Sequence, residues 1–239
     1  MTMSHPLAGA LSQGLLDLDL SLDEAAQAQL LAYMDLIAKW NKVYNLTAVR
    51  DAQEMLTHHL LDSLAVVAPL RRELAKLAQP LAVPADAAWP HISPLPAEAG
   101  SPRYRLLDVG AGAGLPGVVI AITCPEVSVT CVDTVAKKAA FVQQVAVSLR
   151  LPNLRGLHAR VETLIDPFDV VCSRAFASLV DFTAWSASAL APHGVWLAMK
   201  GKYPEAEIRA LPKSVKVFHV EPLTVPGLDA ERCIVWMRG

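Results

Sequence analysis

The chain has 239 residues, enough for one full α/β domain with an accessory segment but not for two large domains. Apolar residues make up 53% of it, which excludes global disorder and supplies a sizeable core. At a formal net charge of -2, any contact with nucleic acid has to come from a local basic patch, not from a globally basic surface.

The start of the sequence lacks the basic residues and apolar run of a signal peptide. The longest apolar tract, around 117–124, is far too short to span a bilayer, so a cytoplasmic protein without membrane contact is expected. Cys124, Cys131, Cys172 and Cys233 form no C-x-x-C pair and have no histidine at zinc-finger spacing. They read as small hydrophobes, and no metal is expected.

In chain order, Ser21-Leu22-Asp23-Glu24 has the S-x-x-E spacing of a capping box, followed by Leu30, Met34 and Ile37 on one helical face. Asp51-Ala52-Gln53-Glu54 opens a second helix carrying Met55, Leu56, Leu60, Leu64 and Val67. Between them lies the polar-aromatic stretch Trp40 to Thr47. Trp40 reads as helix-end packing, and Tyr44 as either packing or a stacking surface for a base. Residues 1–79 are thus predicted to form a helical subdomain. Residues 80–103 hold Pro80, Pro84, Pro90, Pro94, Pro96 and Pro102, a density that forbids helix and central strand alike, and read as a linker or insert.

From 104 to 239 strand and helix alternate. Strands are predicted over 105–109, 128–132, 154–158, 169–173, 194–200, 214–220 and 232–237, with helices over 116–123, 136–149 and 179–190. This predicts a Rossmann-like α/β fold, a mostly parallel seven-stranded sheet with helices on both faces. Ligands bind such sheets beyond the C-terminal strand ends.

Leu106 to Gly117 is the most informative stretch. A strand runs into the alternating glycines Gly110, Gly112 and Gly114, and a helix starts at Pro116. Glycine is required where backbone turns tightly and a ligand lies against it, and the helix start offers free N–H groups. The run 112–117 also fits G-x-G-x-x-G, a weak dinucleotide signal. Asp108, two residues ahead of Gly110, tips the choice. A carboxylate there suits the cationic methionine moiety of S-adenosylmethionine and would repel a pyrophosphate. Asp133 ends the next strand, where an acid can accept from both ribose hydroxyls of either cofactor.

The type of transfer follows by elimination. After the fourth strand the chain reads Ser173-Arg174-Ala175-Phe176-Ala177 in place of the Asp/Asn-Pro-Pro-aromatic motif of amine methylation, and Asp166-Pro167-Phe168 precedes that strand. Thr123-Cys124 and Thr130-Cys131 are nominal C5-type nucleophile settings but lie on the cofactor half. The site is supplied instead with Arg160, Arg174 and Lys200. That suits guanine N7, an exposed acceptor with no proton to remove, where attack on the methyl group needs positioning more than a base. Arg174 and Lys200 would hold a phosphate or the guanine edge. In isolation His58 and His59 each read more readily as surface or packing histidines than as catalytic ones, with His59 open to either role, and Lys137 and Lys138 read as cations at a helix start near a phosphate or solvent.

Taken together, Trp40-Asn41-Lys42, Tyr44 to Thr47, His59 with Asp62-Ser63, Asp108-Val109-Gly110, Gly114 to Gly117, Arg160-Val161-Glu162, Ser173 to Ala177 and Lys200-Gly201 resemble one family in the same order. It is the bacterial small-subunit ribosomal RNA guanine-N7 methyltransferases, also called glucose-inhibited division protein B. The resemblance runs over nearly the whole chain outside the proline-rich segment. It implies a class I methyltransferase fold, S-adenosylmethionine as donor, and methylation of guanine 527 in 16S rRNA, within the 30S subunit or an assembly intermediate. It implies donor contacts at Gly110, Leu115, Val161, Glu162 and Arg174. Two departures stand out: Ala111 replaces the family's usual Thr or Ser, and the 80–103 insert replaces a short loop. A monomer with no DNA partner is expected. The competing readings are an NAD(P)-dependent oxidoreductase, for which no Tyr-x-x-x-Lys or Cys/His arrangement is found, and a non-catalytic ribosome-assembly protein that binds RNA.

Overall fold

A computed structural model of the chain describes residues 5–77 and 102–239. The proline-rich segment, apart from its last residues, lies outside the described residues. The sheet has seven strands in the order β3-β2-β1-β4-β5-β7-β6. They are β1 Tyr104–Val109, β2 Val127–Asp133, β3 Leu154–His158, β4 Phe168–Arg174, β5 Leu190–Lys200, β6 Lys216–Leu223 and β7 Arg232–Arg238. The β3 to β5 half is parallel, and β7 runs antiparallel to both β5 and β6. The expected doubly covered, mostly parallel sheet is therefore present. Its central strands carry Leu106, Leu107, Val129, Val170, Val171, Val195 and Leu197 fully buried, as strands covered on both faces must.

Helices α6 Gly117–Thr123 and α7 Ala136–Ser148 follow β1 and β2, and α8 Leu179–Ser186 follows β4; α9 Glu205–Arg209 follows β5. Every residue of α6 is buried, because the N-terminal helices cover the side that the sheet does not. These are α1 Ala8–Asp17, α2 Glu24–Tyr44, α3 Ala52–Met55, α4 Asp62–Leu64 and α5 Val67–Leu77. Leu30, Met34, Ile37, Leu60 and Leu64 enter the same continuous apolar cluster as Val118, Val129 and Phe141. Among the described residues no helix is long and apolar enough to cross a membrane.

Two helix starts differ in detail. The cap of α2 is Asp23, whose carboxylate accepts from the Ala26 N–H at 2.7 Å, and not Ser21 as the capping-box spacing suggests. Asp51 caps α3 as expected, accepting from Gln53 and Glu54 N–H at 2.9 Å each. Beyond α3 the rod does not continue as a regular α-helix. Residues Leu56–Leu61 form a π-turn before α4 resumes the ordinary geometry. Such turns widen the helix and commonly mark functional positions.

The helical unit is fastened to the glycine loop by Tyr33. Its side chain is fully buried, and its hydroxyl donates to the Ala113 carbonyl at 2.6 Å. Tyr33→Phe leaves that buried carbonyl without its partner and should destabilise the protein by about 1–2 kcal/mol. Urea unfolding of the two proteins reads the difference; an unchanged midpoint would show that the bond contributes nothing.

Candidate active site

The C-terminal ends of β1, β2 and β4 and the turn after β3 enclose a groove of about 730 Å³, lined among others by Gly110, Asp133, Lys138, Val161, Glu162 and Phe176. This is within the range of a small-molecule or cofactor site. Its floor is the bend after β1. Gly110, Gly112 and Gly114 all have positive φ, at 67°, 60° and 89°, a region in which a side chain is strained. A Cβ on Gly110 would also run into the Phe176 ring. Gly110 and Ala111 N–H both donate to the Val132 carbonyl, which fixes the bend against β2.

Asp133 stands at the junction of loop and helix. Its Oδ2 accepts from Gly112 N–H at 3.0 Å and its Oδ1 from Val135 N–H at 2.8 Å, with Lys138 Nζ 3.9 Å from Oδ2. Each carboxylate oxygen keeps a further lone pair for a ligand in the groove. Opposite, Phe176 and Trp185 meet edge to face at 5.9 Å between centroids and form an apolar wall. Val161 and Glu162 lie on the short 3-10 turn Val161–Thr163, with Arg160 Nη2 2.9 Å from Glu162 Oε1.

Asp108 sits differently from the sequence expectation. It is fully buried beneath the loop, not on the groove wall, and its Oδ2 accepts from Gly117 N–H at 2.9 Å. The Cys131 thiol lies 3.9 Å from the same oxygen, and a Cβ on Gly117 would come within 2.8 Å of it. Asp108 Oδ1 is buried without a hydrogen-bond partner. Burial raises its pKa to about 7, opposed by the Gly117 bond and by the Arg174 charge. Leu115 likewise departs from a groove position. Its side chain is buried beside Tyr33, Met34 and Leu60, so only its backbone is left for a ligand.

The three basic candidates already have acidic partners. Arg174 Nη1 lies 2.9 Å from Asp62 Oδ2, Lys200 Nζ lies 2.8 Å from Glu207 Oε2, and Arg160 pairs with Glu162. Arg174 and Lys200 both belong to the strand ends that flank the 175–178 loop, and Lys200 also donates to the Ala177 carbonyl at 3.3 Å. Arg160 is largely exposed on the rim. His59 is held by Thr47, Oγ1 to Nε2 at 2.6 Å, and burial followed by the Arg174 charge lowers its pKa, so its ring is kept neutral. Trp40 packs on Phe141 at 5.3 Å, the helix-end role expected of it.

Against known proteins, the family model described as rRNA small subunit methyltransferase G matches residues 26–78 and 92–235. The chain belongs to this family. A relative of that description from Acidovorax sp. (strain JS42) is 65% identical over 96% of this chain and 94% of its own. Another from Polaromonas sp. (strain JS666 / ATCC BAA-500) is 64% identical over 95% of this chain and 92% of its own. Among solved structures, TrmN from Thermus thermophilus is similar at a TM-score of 0.48 and 20% identity, over 59% of this chain and 45% of that one.

Sequence reasoning missed Tyr33, Trp185, Glu207 and Arg232 as parts of this site. Tyr33 had a signal, since it falls on the same helical face as Leu30 and Ile37. Trp185 and Glu207 take their places through partners only nine and seven residues away, Phe176 and Lys200, whereas Arg232 does so through Asp62, 170 residues distant.

Asp108 makes stability depend on pH. A carboxyl whose folded pKa is raised binds more protons folded than unfolded, so stability declines as pH rises between about 4 and 7. The decline from this group alone is on the order of 4 kcal/mol. Asp108→Asn keeps an acceptor for Gly117 and removes the charge. It should therefore gain on the wild type from pH 5 to pH 8 in urea unfolding; parallel stabilities across that interval would refute the raised pKa.

Proposed function

We propose that the protein transfers the methyl group of S-adenosylmethionine to N7 of a guanine in small-subunit ribosomal RNA, the position that the resemblance gives as guanine 527 of 16S rRNA. The observation that carries the reading is the Asp133 carboxylate, clamped to the glycine loop at the mouth of the groove, in a chain of this family. The donor supplies a methyl group on a positively charged sulfur.

The residues fit that donor. Asp133 is placed to accept from the ribose hydroxyls, its geometry set by the Gly112 and Val135 N–H groups. Gly110 lets the backbone approach closely, and Gly112 and Gly114 hold the curvature. Phe176, Trp185 and Val161 give a planar base apolar surface, with Glu162 beside it as an acceptor for an exocyclic amine. The buried Asp108, with its unpartnered Oδ1, would when ionised place negative potential beneath the loop, favourable to a cationic donor. Leu115 contributes backbone there.

For the acceptor, N7 of guanine offers a lone pair and no proton, so no general base is required. Arg174 and Lys200 are placed to hold the guanine edge or a flanking phosphate, and Arg160 extends the basic rim. Their pairing with Asp62, Glu207 and Glu162 pre-orients them while limiting non-specific attraction. The substrate on this reading is 16S rRNA within the 30S subunit or an assembly intermediate, met by a cytoplasmic monomer.

Tritiated methyl transfer to 30S subunits and to free 16S rRNA, with mapping of the product, tests this directly. Label is expected on guanine N7 at a single position. Asp133→Ala should weaken binding of S-adenosylhomocysteine tenfold or more, roughly the loss of two hydrogen bonds. Calorimetric binding of NADH in place of the methyl donor, or label at a pyrimidine or an exocyclic amine, refutes the assignment.

A further inference from the structure

Arg174 is held from outside the sheet. Its Nη1 donates to Asp62 Oδ2 at 2.9 Å and to the His58 carbonyl at 3.0 Å. Asp62 in turn accepts from Arg232 Nε through its other oxygen, at 2.8 Å. The Asp62 side chain is only 4% exposed, against 19% for Arg174 and 24% for Arg232. One buried carboxylate thus spans two guanidiniums that project from β4 and β7, strands separated in the sheet by β5.

Three features make this more than a surface ion pair. First, both contacts to Arg174 use Nη1, so among the described residues its Nε and Nη2 donors are not engaged. That pair of donors is the edge with which arginine grips a carboxylate, a phosphate or a guanine in two parallel bonds. Second, the anchors come from one local distortion. His58 lies in the π-turn, and Asp62 is the first residue after it, so the widened turn presents a carbonyl and a carboxylate to the same guanidinium. Third, Arg232 fixes the far oxygen of Asp62, which stops the carboxylate from rotating with its partner. The cluster holds two positive charges against one negative, so it retains a net positive charge for an incoming anion or acceptor.

We infer that Asp62 is the positioning residue for Arg174, holding the guanidinium by one nitrogen so that its Nε/Nη2 edge meets the acceptor. The role rests on the proposed function for what Arg174 meets, but not for how it is held. Asp62 touches neither donor nor RNA in this scheme; it acts only through Arg174. Since β4 ends at Arg174 and the helical unit supplies Asp62, the N-terminal helices complete the site instead of merely covering the sheet.

Asp62→Asn leaves two part-buried cations facing a neutral amide and can lower stability, so it is paired with Asp62→Asn/Arg232→Gln, which removes one of them. Nitrogen-15 NMR of the ligand-free protein reads the holding. The Arg174 guanidinium signals, assigned by their loss in Arg174→Lys, are expected to be resolved in the wild type and averaged in both variants. Kinetics read the consequence. Each variant should lower kcat on 30S subunits roughly 10- to 100-fold, and adding Arg174→Ala should bring no further loss. Asp62→Glu, which keeps the charge, should recover part of the rate. Resolved Arg174 signals in folded variants overturn the inference, as do losses that multiply with Arg174→Ala. Should the wild type methylate no ribosomal RNA, the proposed function fails, and the NMR comparison alone then sustains or overturns the placement of Arg174 by Asp62.

Discussion

The bend between β1 and α6 is the constraint from which the rest of the site follows. The chain leaves a buried central strand, turns through three residues of positive φ, and enters a helix that is itself wholly buried. A helix start in that position leaves backbone donors that water cannot reach, and each must find an acceptor within the fold. Asp108 serves one of them by accepting from Gly117, at the cost of a carboxyl buried beneath the loop. Asp133 serves the loop itself through Gly112. Both acids are therefore fixed by backbone needs before any ligand arrives, which on the proposed reading sets them in advance for a cationic nucleoside donor.

The same bend explains why the helical unit and the sheet share one apolar cluster. With α6 buried on all sides, its outer face needs a cover, and α2, the π-turn and α4 supply it through Leu30, Ile37, Leu60 and Leu64. Covering brings chemistry with it. Tyr33 reaches the Ala113 carbonyl from α2, and Asp62 reaches Arg174 from α4. The helices cannot move away from the sheet without exposing the loop that binds the donor on the proposed reading. Packing and site geometry are one requirement here.

Much of this was legible in the sequence for reasons of periodicity. The alternation of β-branched runs with helical stretches gave all seven strands, and the spacing of Gly110, Gly112 and Gly114 gave the bend, because short-range sterics dictate both. Local capping was half legible: Asp51 does what its spacing implies, whereas Asp23 displaces Ser21 because a carboxylate nearer the helix is the better acceptor. The π-turn at 56–61 was not legible, since nothing in Leu56 to Leu61 forbids a plain α-helix. Its carbonyl and its following carboxylate are satisfied by arginines 116 and 170 residues away. Interactions at that separation leave no periodic trace in a single sequence. The burial of Asp108 was missed for a related reason, because spacing places a residue at a strand end but does not say which side of the loop it faces.

The charge pattern at the rim bears on selectivity. Arg160, Arg174, Lys200 and Lys138 each have an acidic neighbour, at 2.9, 2.9, 2.8 and 3.9 Å. A rim of unpaired cations would attract any polyanion, and that attraction would be strong and blind to sequence. Paired cations contribute little long-range field, in keeping with the chain's net charge of -2. They become useful only to an acceptor whose shape lets it use the donors left free after pairing, as the Nε/Nη2 edge of Arg174 would be. On the proposed reading, selection of one base in a long RNA then rests on geometry at short range, and the acids that pair with the rim cations are part of that selectivity.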